Sequence, residues 1–131
     1  MDTAVIAECT RLSFADVPFP QVVSRLDATG VVAYHADLVA MRKTYYDGGG
    51  DCHDGPLPVA DAPAVADRFE EADVVAAIRA SQRGEIGYTA FLQRIMRAGC
   101  AGYGVYLRGR KAIYFGRDGG FVVEPFPEPG R

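Results

Sequence analysis

Few residues in this sequence have the chemistry to hold or move a proton near neutral pH. The only two histidines are His35 and His53. His35-Ala-Asp37 sets an imidazole and a carboxylate two positions apart, so on an extended strand both point to the same side. Such a pair suits a base with its orienting carboxylate, or two of the ligands a metal ion needs. His53 follows Cys52, and neighbours on a strand face opposite ways, which argues against a Cys/His nucleophile pair. With one strand between them, the strands carrying His35 and His53 stand ~10 Å apart, too far to share a metal ion. The sequence therefore assigns no catalytic residue, no metal ligand and no cofactor.

Basic side chains make a second candidate. The only two lysines, Lys43 and Lys111, lie in the segments Arg42-Lys43 and Arg108-Gly-Arg110-Lys111. Both segments read as hairpin turns, where ammonium and guanidinium groups could hold a carboxylate or a phosphate. The candidate ligand set is thus His35, Asp37, Lys43, Arg110 and Lys111, facing a small anion. The run Gly48-Gly49-Gly50 lacks the flanking pattern of a phosphate loop and reads as a turn.

The elements that must position these groups follow from an internal repeat. Shifting the chain by 69 residues aligns 5–58 with 74–127 without a gap, and ten of the 54 pairs are identical. Among them are Arg25/Arg94, Gly30/Gly99, Tyr34/Tyr103, Leu38/Leu107, Tyr45/Tyr114 and Gly50/Gly119. Each repeat reads as helix, helix and three-stranded meander, with 55–66 as an extended linker between the two. Asp2 or Thr3 and Asp73 are the expected N-caps of the first helices, and the second helices begin near Pro18 and Gly87. Gly30 and Gly99 suit the left-handed position just past a helix end. Strands are expected near 31–39, 42–47 and 51–54, then near 101–107, 111–116 and 120–124. Alternation puts Tyr34, Ala36 and Leu38, with Tyr103, Val105 and Leu107, under the helices. The expectation is an α+β two-layer single domain with helices on one face of an antiparallel sheet. Tyr46, Tyr106 and Phe115 then fall on the other face and become candidate interface residues.

At 131 residues the chain is long enough for one domain with its own core. A net charge of −3 opposes a general grip on nucleic acid or anionic lipid. No apolar run approaches the ~20 residues of a membrane-spanning helix, and Met1-Asp2-Thr3 does not begin as a signal peptide does. Three cysteines without CxxC spacing read as reduced thiols, so a cytoplasmic protein is expected.

Lys43-Thr-Tyr-Tyr46, Tyr88-Thr-Ala-Phe91, Ala98-Gly-Cys-Ala-Gly-Tyr103, Tyr114-Phe-Gly-Arg-Asp-Gly119 and Glu124-Pro-Phe-Pro127 resemble the YbcV-like bacterial family of unknown function (domain of unknown function family 1398), whose members are sometimes labelled phage envelope proteins. The resemblance spans nearly the whole chain and implies a bacterial or prophage-derived protein without assigned catalytic residues. It departs from the family pattern at Lys111 and Val122, where some members carry histidine.

Two functions follow as expectations. The first is a non-enzymatic interaction module that pairs with itself as a homodimer or with another protein through its open sheet face. The second is a binder of a small anionic ligand, or a modest enzyme, using a cleft between the two repeats.

Overall fold

The computed structural model describes residues 1–127. Helices α1 (Thr3–Phe14) and α2 (Phe19–Ala28) precede strands β1 (Val31–Asp37), β2 (Arg42–Asp47) and β3 (Cys52–Pro56). Helices α3 (Glu71–Gln82) and α4 (Tyr88–Arg97) then precede β4 (Cys100–Tyr106), β5 (Lys111–Gly116) and β6 (Phe121–Pro125). The bounds of α4, β4, β5 and β6 lie 69 positions after those of α2, β1, β2 and β3. The strands form one antiparallel sheet in the order β3-β2-β1-β4-β5-β6. The chain is an α+β protein built of two helix-helix-meander units, joined where β1 pairs with β4.

Local chemistry explains the element ends. The Asp2 carboxylate accepts the backbone N–H groups of Ala4 and Val5 at 2.9 and 3.3 Å, capping α1. Asp73 does not cap α3: the cap position is Glu70, and Asp73 sits inside the first turn, where its charge complements the helix dipole. Gly30 and Gly99 take φ of 91° and 87°, the left-handed conformation that releases the chain from α2 and α4 into the sheet.

Leu26, Val31, Tyr34, Ala36 and Tyr45 from the first unit and Leu92, Ile95, Tyr103, Val105 and Ala112 from the second share one buried cluster. Its sheet-side residues alternate as the sequence pattern requires, while His35 and Asp37 face solvent. Residues 57–70 contain no helix or strand, yet they are packed down. Leu57 is buried, and the N–H groups of Ala66 and Glu70 donate to the carbonyls of Met96 and Ala98 at 3.1 and 2.8 Å.

Candidate functional site

Because β1 and β4 run antiparallel, the β1–β2 turn and the β4–β5 turn lie at opposite ends of the sheet. Seven-residue strands such as these are about 23 Å long. Asp37 is therefore a strand length from Arg110 and Lys111, and the five expected ligand residues do not form one site. Arg42 and Lys43 are also not turn residues. They belong to β2, and Lys43 points under the helices, only 3% exposed, on the face opposite His35.

The remaining candidates have local roles. The Asp37 carboxylate accepts the N–H groups of Val39 and Ala40 at 2.9 and 2.8 Å, holding the β1–β2 turn. The Arg110 guanidinium lies 5.4 Å from the centre of the Phe126 ring. His35 stands between Tyr46 and Tyr106, with ring centres 5.2 and 5.9 Å away. The Tyr106 hydroxyl comes within 3.4 Å of His35 Nε2, and its ring lies where a side chain at Gly104 would project. Phe115 covers Gly102 in the same way. The aromatic residues of the open face thus rest largely on the chain's own glycines and histidine. Phe121 and Val123 are left 60% and 43% exposed there. His53, paired with Tyr45 on the other face, stays apart from His35.

The chemistry gathers instead between the helices and the sheet. A cavity of about 620 Å³ is lined by both units, with Ser13, Asp16, Phe19 and Tyr34 from the first facing Tyr88, Phe91, Tyr103, Tyr114, Glu124 and Phe126 from the second. Pocket volumes of roughly 300–1,000 Å³ are typical of small-molecule sites. Four of the seven tyrosines line it. The Tyr88 and Tyr103 hydroxyls share a hydrogen bond of 2.6 Å. Those of Tyr34 and Tyr114 have no hydrogen-bond partner among the described residues and are not sealed from the cavity. Burial pushes all four phenols above the ordinary tyrosine range, so they are neutral groups able to donate or accept.

Backbone geometry positions this wall. Asp16, held at φ 63°, accepts the Tyr88 N–H at 2.9 Å through its carboxylate and so anchors the start of α4 to the end of α1. The Phe14 and Tyr88 rings meet edge to face at 4.9 Å. Glu124 is fixed by Arg79 and Gln82 of α3. Among the described residues no lysine, arginine or histidine side chain lines the cavity. Among the described residues no three histidine, cysteine or carboxylate groups converge as metal ligands would.

Lys43 sits beside this cavity without lining it. Its ammonium is 5.4 Å from the Tyr34 ring centre and 5.5 Å from that of Tyr88, with no ion pair or hydrogen bond among the described residues. Burial lowers its pKa to about 8. Composition and spacing hid the cavity from a reading of the sequence, because its residues come from eight elements and the loops between them. The paired tyrosines were the one visible signal, and their repetition pointed to the core instead.

Fold and site together define an α+β domain with an aromatic cavity between helices and sheet. It is similar to bacterial proteins described as uncharacterized, Mb2035 of Mycobacterium bovis and Rv2012 of Mycobacterium tuberculosis, at 33% identity over 98 residues. The aligned stretch covers 75% of this chain and 60% of each relative, so the chain spans about three-fifths of the length of the curated relatives it matches. No protein-family model matches the chain, and the resemblance to the YbcV-like family rests on its own motifs. Among the described residues no helix is long and apolar enough to cross a membrane.

Proposed function

We propose that this chain is a small-molecule-binding domain whose ligand occupies the cavity between its two units. The observation that carries the reading is a cavity of about 620 Å³ walled by four tyrosines, where the Tyr34 hydroxyl has no hydrogen-bond partner among the described residues and opens onto the cavity. A hydroxyl that opens onto a cavity without a protein partner is free to donate to or accept from a ligand. The two units read as copies of one ancestral unit, and their junction supplies the enclosed space. The expected small anion is replaced in this reading, because no cationic side chain among the described residues lines the cavity. Three free cysteines, two of them buried, suit a reducing, cytoplasmic setting.

Native mass spectrometry tests the reading on protein incubated with a small-molecule extract of its host. A reproducible added mass is expected on the natural sequence, and its loss in Ala112→Leu, which fills the cavity floor. Retention of the mass in Ala112→Leu, or no adduct from any extract, would overturn it.

A second reading, a homodimer or protein partner on the open sheet face, is favoured by the exposure of Phe115, Phe121 and Val123. Tyr46 and Tyr106 would border that surface.

A further inference from the structure

We infer that the cavity takes an organic cation, a protonated amine carried on an apolar body. The inference rests on the cavity being a ligand site and adds the charge of what fills it.

The first unit already holds such a cation in place. Lys43 pairs with Ala36 of β1 and Gly55 of β3, and its ammonium is caged by the Tyr34 and Tyr88 rings. The residues 69 positions away repeat the strand pairing and the tyrosine pair in the second unit. Ala112 pairs with Val105 and Glu124, and the counterparts of the two cage rings are Tyr103 and Phe19. The local geometry is the same: the Tyr34–Tyr45 rings stand 5.2 Å apart at 34°, and the Tyr103–Tyr114 rings 5.2 Å apart at 35°.

What differs is the side chain at the centre. Alanine replaces lysine, and Ala112, Tyr103, Phe19 and Glu124 all line the cavity. The volume that a lysine would fill is left open. A carboxylate, Glu124, ion-paired with Arg79 of α3, stands where the first unit has Gly55. Ring faces attract ammonium groups, the more so when water is excluded, and the Glu124 carboxylate, partly offset by Arg79, adds to that attraction. The unpartnered Tyr34 and Tyr114 hydroxyls can accept hydrogen bonds from the same ammonium.

Isothermal titration of the full chain with three phenyl compounds reads the charge directly: phenethylamine, 2-phenylethanol and 3-phenylpropanoate. Phenethylamine is expected to bind about tenfold more tightly than 2-phenylethanol, with no measurable binding of 3-phenylpropanoate. Ala112→Lys, which supplies the missing ammonium covalently, is expected to abolish phenethylamine binding. Glu124→Gln keeps the shape should Ala112→Lys fail to fold. It is expected to weaken phenethylamine several-fold and leave 2-phenylethanol unchanged. Equal or tighter binding of the alcohol or the acid would overturn the charge assignment while leaving the cavity a ligand site. No binding of any of the three would overturn both.

Discussion

The Lys43 ammonium rests over the Tyr34 ring with no carboxylate paired to it among the described residues, so the protein carries a buried amine flanked by aromatic faces. Its pKa falls from 10.5 to about 8 because burial penalises the charged form. Between those values the unfolded chain binds more protons than the folded one. Stability should therefore rise as pH climbs from 8 towards 10.5, by an amount on the order of 3 kcal/mol if this group acted alone. The tyrosines oppose it above pH 10, since their raised folded pKa values mean that only the unfolded chain ionises there. Urea denaturation across pH 7–11 should show stability rising to a maximum near pH 10 and then falling. Lys43→Met should remove the rise and stabilise the protein at pH 7 by about 1–2 kcal/mol.

Gly30 and Gly99 occupy matching helix ends with nearly the same positive φ, but their surroundings differ. A methyl group at Gly30 meets nothing within 4 Å, whereas one at Gly99 would overlap the carbonyl of Arg68 in the inter-unit segment. Gly30→Ala should cost only the backbone strain, about 1–2 kcal/mol. Gly99→Ala should cost several kcal/mol or leave the chain unfolded. Thermal unfolding of the two variants side by side checks the packed position of 57–70.

Asp16 caps α4 from a left-handed conformation that alanine adopts poorly. Asp16→Ala should lose about 1–2 kcal/mol, and Asp16→Asn, which keeps an acceptor and tolerates the conformation, well under half of that. Because Tyr88 is held by this cap, Asp16→Ala should also weaken ligand binding more than its stability loss explains. Chemical denaturation paired with ligand titration separates the two effects.

Phe115 lies over Gly102 and is 42% exposed, while Phe121 is 60% exposed beside it. If this face is merely solvated, Phe115→Glu with Phe121→Glu should leave the sedimentation coefficient unchanged. A natural-sequence dimer that the double variant dissociates would establish the open face as an interface instead.

The repeating part of the fold was readable because it obeys local rules. Proline or glycine begins α2 and α4, left-handed glycine ends them, and period-two alternation assigns the strand faces. Lys43 shows where such rules stop. Its charge placed it at a turn, but the alternation that buries Tyr45 also buries a residue two positions before it. Asp37 and His35 share a face as their spacing requires, yet the antiparallel β1–β4 pairing carries Arg110 and Lys111 to the opposite end. The cavity depends on how the four helices sit over the sheet, and single-residue spacing does not encode that.

The most direct measurement of the central claim is amide chemical-shift mapping of the full chain with indole and then phenethylamine as probes. Saturable shifts are predicted at Gly84, Gly87, Val105, Ala112 and Phe126 around the cavity, with His35, Thr44 and Phe121 unmoved. Shifts confined to the open sheet face, or no saturable shift with either probe, would contradict it.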